Sequence, residues 1–160
     1  TFTDAGPTGI GSDIATDEHW QIAVAALQKI CDHAPQLLFC VELHQKTLAD
    51  NITSAQQLIE RVNRENLKLI YHTPGWDLMN DFDIVHDHVR HMHMQNTGDE
   101  SSPGFLDSGT CDLPGFLKHI SEKSYQHSLS VEYCFKGSTH EHPAAAMRYL
   151  REHLHTHSSQ

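Results

Sequence analysis

The sequence predicts an α/β protein with parallel strands joined by helices. Four short apolar runs begin at Leu37, Leu67, Val89 and Ser128, and helical patterns lie before, between and after them. The first run shows no polar–apolar alternation, which indicates a strand buried on both faces, as in a parallel sheet covered by helices. Repeated strand–helix units are the pattern expected of such a fold.

The elements of the first half follow from spacing and capping patterns. Apolar residues at helical spacing predict a first helix over about 17–33, and Pro35 ends it. A capping-box pattern that starts at Ser54 predicts a second helix to about Arg64. The first two strands are predicted over 37–42 and 67–72.

In the second half, a short helical stretch through Phe82 and Val85 leads into a third strand over 89–94. A long polar loop follows, and Asp112 is expected to cap the next helix. The last two elements are a fourth strand over 128–134 and a final helix that starts at Pro143.

Composition limits the possible functions. The chain of 160 residues is long enough for one domain with a core, and we treat 1–160 as a single domain. A net charge of −10 argues against tight binding to a nucleic-acid backbone, which requires clustered Lys and Arg. No apolar run approaches the length of a membrane span. We therefore expect a soluble, cytoplasmic protein.

The cysteines indicate a reducing compartment. The four are not spaced as CxxC pairs, and Cys40 and Cys134 lie in apolar runs, where a reduced thiol packs as a small apolar group. We expect free thiols throughout.

Charged or imidazole side chains stand at the C-terminal ends of all four predicted strands. These residues are Glu42, His72, His93 and Glu132. Ionised groups are excluded from apolar interiors unless they are paired, and functional groups of parallel α/β folds collect at this edge of the sheet. Two carboxylates and two imidazoles suit a divalent ion such as Mn, Co, Zn or Mg. The alternative for each residue is a cap on its strand or a position facing water.

Such a site allows proton chemistry. A metal polarises a carbonyl or hydroxyl of a polyol substrate, while one glutamate removes a proton and the other returns one. This is a two-base isomerase or epimerase scheme, with Glu42 and Glu132 as the catalytic pair.

Three neighbouring residues are candidates for contact with substrate. His91 shares a strand face with His93 because side chains alternate with period two. His44 shares a face with Glu42, although a surface position is an equal alternative. Trp76, just after the second strand, is either an apolar wall for the substrate or a packing residue.

The ordered motifs resemble a known family. They are VELH at 41–44, NLKLIYH at 66–72, RHMH at 90–93, LDSGTCD at 106–112 and LSVE at 129–132. Together they resemble the C-terminal half of the xylose isomerase-like TIM barrels, a group of sugar and sugar-phosphate isomerases and epimerases, inosose dehydratases and endonuclease IV-type nucleases. The resemblance covers nearly the whole chain, but only strands five to eight of an eight-stranded (β/α)8 barrel.

The resemblance implies a metal bound by Glu42, His72, His93 and Glu132, with the two glutamates as acid and base. His72 stands where much of the family has an aspartate. A half barrel would leave two open strand edges, and open edges recruit partners. We therefore expect either a second copy that completes the barrel or a longer protein whose N-terminal half is absent here.

The leading hypothesis is a metal-dependent isomerase or epimerase acting on a small sugar or polyol. Two alternatives remain open at this point. One is a barrel fragment without activity, which at most binds a metal or a sugar. The other is a zinc-dependent phosphodiesterase acting on abasic DNA, for which the acidic chain is poorly suited.

Overall fold

A computed structural model describes residues 11–73, 77–96, 106–132 and 141–155. Five α-helices and four strands are described, together with one 3-10 turn. In chain order they are α1 (Asp17–His33), β1 (Phe39–Glu42), α2 (Ile52–Val62), β2 (Leu67–His72), α3 (Leu78–Val85), the 3-10 turn His86–His88, β3 (Val89–Met94), α4 (Leu113–Glu122), β4 (Ser128–Val131) and α5 (Glu141–His155).

The strands form one parallel sheet with the order β1-β2-β3-β4. Strand β1 pairs with β2 in a register that sets Phe39 beside Leu67 and Glu42 beside Ile70. The sheet order follows the chain order, as expected when each helix returns the chain to the next parallel strand. The predicted α/β class with parallel strand–helix units is confirmed.

Helix α1 forms as the spacing predicts. Thr16 caps it, accepting a hydrogen bond from the backbone N–H of His19, while the His19 ring bonds back to the Thr16 backbone. The buried stripe of the helix consists of Trp20, Ala23, Leu27 and Cys31. The guanidinium of Arg61, on α2, lies 4.8 Å above the ring of Trp20, a cation–π contact that adds to the packing between the two helices.

Helix α2 begins earlier than the capping pattern at Ser54 predicts. The N-cap is Asn51, whose side chain accepts from the Ser54 N–H, and the Ser54 hydroxyl accepts in turn from the Asn51 N–H. Ser54 therefore occupies the third helical position and closes the capping box instead of opening it. The helix ends at Asn63, which adopts a left-handed conformation with φ 48°.

Two strands are shorter than predicted. Strand β1 begins at Phe39 rather than at Leu37, because the Leu37 N–H bonds back to the carbonyl of Ala34. Strand β4 ends at Val131, and the remainder of its predicted range, including Cys134, falls outside the described residues. Cys31, Cys40 and Cys111 are free thiols, as predicted.

The chain divides into two compact units, and each has a core of its own. The first comprises the chain up to His72 together with 81–91, and the second comprises 73–80 and the chain from Met92 onward. In the first, α1 packs on α2, and Tyr71 and Phe82 meet edge to face with ring centroids 5.6 Å apart. In the second, α5 packs against α4 and β4. The fully buried side chains of that unit include Met92, Met94, Leu113, Phe116 and Leu117.

Within the second unit, Asn96 holds the chain segment that precedes α4. Its side chain is only 4% exposed. Its Nδ2 donates to the carbonyl of Leu106 at 3.1 Å, and its Oδ1 accepts from the N–H of Cys111 at 2.9 Å. A Cβ on Gly109 would overlap the Asn96 side chain, so the segment passes this point only with glycine there. Asn96 thus fixes the course of 106–111 after β3.

Replacing Asn96 by alanine is expected to lower the free energy of unfolding by about 1–3 kcal/mol, because buried backbone groups lose their partners. Asn80→Ala, at an exposed position of α3, is the matched control and should change stability by less than about 0.5 kcal/mol. Chemical denaturation followed by circular dichroism measures both. Equal effects of the two substitutions would contradict the role assigned to Asn96.

Candidate metal centre

Each strand carries one candidate ligand at its C-terminal end. Glu42 and His72 are the last residues of β1 and β2. His93 is the next-to-last residue of β3, and Glu132 directly follows β4. Because neighbouring parallel strands run in the same direction, these side chains all belong to one edge of the sheet.

Glu42 is a carboxylate in a buried position, with only 5% of its surface exposed. Its register partner is Ile70, so Glu42 and His72 lie on the same face of the sheet. The Nε2 atom of His72 is 3.9 Å from Oε1 of Glu42. A carboxylate so far from water is stabilised by positive charge or by hydrogen bonds, and an ion shared with His72 would provide the first of these.

His93 and Glu132 form a second pair. The Nδ1 atom of His93 lies 3.4 Å from Oε2 of Glu132, and both side chains are partly exposed. Gln95 donates from Nε2 to the same Oε2 atom at 3.0 Å. This amide orients the carboxylate and contributes no charge of its own.

Thr73 fixes the backbone of Gln95 in turn. The Thr73 hydroxyl donates to the carbonyl of Gln95 at 2.7 Å and accepts from the Gln95 N–H at 2.9 Å. The Thr73 N–H also donates to the carbonyl of His93 at 3.0 Å. Thr73 is fully buried, so these bonds are shielded from water. The backbone of Gln95 is therefore fixed, and this positions its side chain to donate to Glu132.

Glu42, His72, His93 and Glu132 form one group of possible metal ligands. Each offers one nitrogen or oxygen atom, and these atoms all lie within 4.8 Å of one another. At bond lengths of about 2.0–2.2 Å, ligand atoms around a single ion lie within about 4.4 Å of one another. The spacing and the two-nitrogen, two-oxygen donor set therefore fit a divalent ion after small side-chain adjustments.

The other three predicted site residues are placed differently. His44 is exposed, and its Nδ1 lies 2.9 Å from the carbonyl of Gln45, in a turn where Lys46 has a φ of 61°. His91 is partly buried and lies two residues before His93, on the same strand face. Trp76 lies outside the described residues.

The contributions of Gln95 and Thr73 to the site were not predicted from the sequence. One signal for Gln95 was available, because it continues the period-two series of His91 and His93 beyond the end of β3. No comparable signal marks Thr73, since its partners are twenty or more residues away along the chain.

The parallel sheet and the candidate ligands at its C-terminal edge define a class of (β/α) proteins, and comparison with known proteins identifies the family. The model of the xylose isomerase-like TIM barrel family matches residues 5–154. The chain belongs to this family, as its motifs predicted.

Solved structures show the same fold. A probable 3-DHS dehydratase, AsbF, from Bacillus anthracis aligns with a TM-score of 0.80 at 21% identity, over 93% of this chain and 62% of its own. A D-allulose 3-epimerase from Methylomonas sp. aligns with a TM-score of 0.79 at 16% identity, over 94% of this chain and 61% of its own. A Mycobacterium smegmatis protein of this family, solved in complex with magnesium, aligns with a TM-score of 0.74 at 15% identity. The alignment covers 89% of this chain and 53% of that protein.

The chain spans about three fifths of the length of the first two of these structures, consistent with the predicted partial barrel. A search of curated protein sequences gives no match. Among the described helices, none combines the length and the apolar character that a membrane crossing requires.

Proposed function

We propose that this chain carries the metal centre of a sugar or sugar-phosphate isomerase or epimerase. The observation that carries the proposal is the group of Glu42, His72, His93 and Glu132, whose ligand atoms lie within 4.8 Å of one another. Structural relatives that are named as epimerases for D-allulose and L-ribulose support the substrate class. Another structural relative is named as a probable dehydratase, so we base the proposal on proton transfer by the carboxylates of this chain and not on one substrate.

The two carboxylates would act on opposite sides of the reaction. A divalent ion held by the four ligands would supply polarisation of a carbonyl or hydroxyl oxygen of the substrate. Glu42 and Glu132 come from the two ends of the sheet order, which suits removal of a proton by one and its return by the other. Gln95, bonded to Oε2 of Glu132, would keep that carboxylate in one orientation during the transfer. His44, His91 and Trp76 remain proposed contacts of the substrate.

The donor set also bears on the choice of metal. Imidazole nitrogens suit Zn better than Mg or Mn, which prefer oxygen ligands and water. With His72 as a ligand, two of the four donors are nitrogens. We therefore propose a divalent ion among Mn, Co, Zn and Mg, and the two nitrogen donors favour Zn.

Metal binding provides the first test. After equilibrium dialysis against Mn, Co or Zn, mass spectrometry of the metal content should give one ion per chain. His93→Ala and Glu132→Gln should each weaken binding about tenfold or more, because the loss of a ligand exceeds the effect of losing a supporting contact. His33→Ala, at the exposed end of α1, is the control and should bind as the unmodified chain does. Unchanged stoichiometry in both ligand variants would refute the four-ligand site.

Proton transfer provides the second test. In deuterated water, incubation with ketoses and ketose phosphates should replace a carbon-bound proton by deuterium, which is seen as loss of its proton NMR signal. Glu42→Gln and Glu132→Gln should slow the exchange by about 10²–10⁴-fold, because each removes an acid–base group. Glu152→Gln, exposed on α5, serves as the control.

An exchange rate in the Glu42→Gln variant equal to that of the control would contradict the role given to that carboxylate. Metal binding without exchange on any sugar would favour a barrel fragment that binds but does not catalyse. Cleavage of an abasic DNA duplex without exchange would favour the phosphodiesterase alternative.

We also propose that a second copy of the chain covers the outer face of α1 and the free edge of β1. Strand β1 is the first in the sheet order, so on its other side it pairs with no described strand. Large apolar side chains are exposed on α1, Ile22 by 58% and Ile30 by 42%, and just before β1, Leu37 by 53% and Leu38 by 59%. Exposed apolar surface and a free strand edge are both features that are typical of an interface.

Light scattering after size exclusion should give about twice the chain mass of 18.1 kDa. Ile22→Asp should shift the protein to monomer, because it puts a charge on the buried face of the interface. Ile84→Asp replaces an isoleucine that is 51% exposed on α3 and should leave the mass unchanged. A monomer for the unmodified chain would contradict the second copy and favour further strand–helix units within a longer protein.

A further inference from the structure

The first unit contains a cavity of about 700 Å³ at the N-terminal end of its strands. This volume lies within the range of small-molecule sites, about 300–1,000 Å³. Its wall is made by the end of α2, the segment that follows it, and the starts of β2 and β3. The lining residues are Leu38, Ile59, Glu60, Asn63, Arg64, Glu65, Lys68, His88 and Arg90.

Lys68 is a partly buried cation in this wall. Within the described part of the chain it forms no hydrogen bond and no ion pair. Its pKa is lowered, first by burial and next by the positive charge of Arg90. Glu65, Asp87 and Cys40 act in the opposite direction, but the net effect is a lowered pKa. An ammonium group in this position is stabilised when an anion binds nearby.

Arg90 lies beside Lys68 and is held in place by backbone contacts. Its Nη1 donates to the carbonyls of Asp87 at 3.2 Å and Val89 at 3.1 Å. No described carboxylate pairs with its guanidinium. A guanidinium has five N–H donors, so several stay available while the backbone bonds fix its position.

His88 adds a third nitrogen-bearing group to the same wall. Its Nδ1 atom is buried and has no hydrogen-bond partner among the described residues. Its pKa is lowered by burial first and then by Lys68, with a smaller lowering by Arg90. Asp87 and Glu60 are the acidic groups that face it, and both act in the opposite direction.

The acidic residues of the wall form no direct ion pair with these two cations, although Glu65 and Asp87 partly offset the lowered pKa of Lys68. Glu60 accepts a hydrogen bond from Gln56, and neither Glu60 nor Glu65 forms an ion pair with Lys68 or Arg90. The remaining cation, Arg64, is engaged by Asp32 through two bonds of 2.6 and 2.9 Å. The two unpaired positive groups are therefore concentrated at Lys68 and Arg90.

We propose that this cavity binds the phosphate group of a small phosphorylated molecule, held by Lys68 and Arg90 with His88 as a further donor. A tetrahedral anion with several oxygens can accept from donors that approach from different elements, whereas a carboxylate offers only two oxygens. The volume exceeds what a phosphate alone needs and leaves room for an organic part.

The cavity is separate from the proposed metal centre. Lys68 precedes His72 by four residues on β2, which corresponds to about 13 Å along a strand. A phosphate in the cavity would therefore occupy the opposite edge of the sheet from the metal ligands. It is a second ligand site, and its test does not depend on metal or on turnover.

Inorganic phosphate is the probe for this site. Imidazole NMR spectra of the full chain, with the His88 signals identified by their loss in His88→Gln, should show the pKa of His88 rising as phosphate is added at constant ionic strength. The anion offsets the charges of Lys68 and Arg90 that hold this pKa down. Lys68→Gln and Arg90→Gln should each weaken the phosphate response about tenfold or more, as expected for the loss of a charged hydrogen-bond donor.

Lys118→Gln is the matched control, because Lys118 lies on the exposed face of α4 and does not line the cavity. It should leave the phosphate response unchanged. The proposal is overturned if His88 does not respond to phosphate in the folded chain, or if Lys118→Gln weakens the response as much as Lys68→Gln does. An equal response to acetate would show a general charge effect and would also overturn it.

Discussion

The parallel register of the strands is the constraint on which the candidate site depends. Because Glu42 is paired with Ile70, and side chains alternate along a strand, Glu42 and His72 are directed to the same face. A shift of one residue would turn Glu42 to the opposite face and separate the pair. The buried stripe of α1 and the capping box of α2 help to prevent such a shift, because they fix the helices that cover these strands.

Glu42 is the more buried of the two candidate carboxylate ligands. Its 5% exposure leaves the carboxylate little contact with water, so its charge depends on partners within the protein such as His72, whose Nε2 lies 3.9 Å away. Glu132 is exposed more, with 29% of its side chain accessible, and is oriented by Gln95 instead of by burial. The two carboxylates thus have different environments, one set by burial and the other by a neighbouring amide.

The strands and the positions of the four candidate ligands could be predicted, because both follow from local periodicity and from the ends of apolar runs. The start of α2 could not be read correctly, since Asn51 and Ser54 are both good capping residues and only their reciprocal bonds show which one is the N-cap. The fixing of Gln95, which orients Glu132, could not be predicted in full. It needs Thr73 beside Gln95, a contact across 22 residues that depends on how β2 and β3 are joined.

Strand β2 carries two polar groups of different kinds on one face. Lys68, Ile70 and His72 share a face, with a cation near the start of the strand and an imidazole at its end. The intervening Ile70 keeps the two polar groups apart, and the distance of about 13 Å weakens their electrostatic coupling once water screens it. A change of charge at Lys68 should therefore have little effect on His72, and the reverse. Substitutions at Lys68 should affect the cavity and spare the metal ligands, so the two proposals can fail independently.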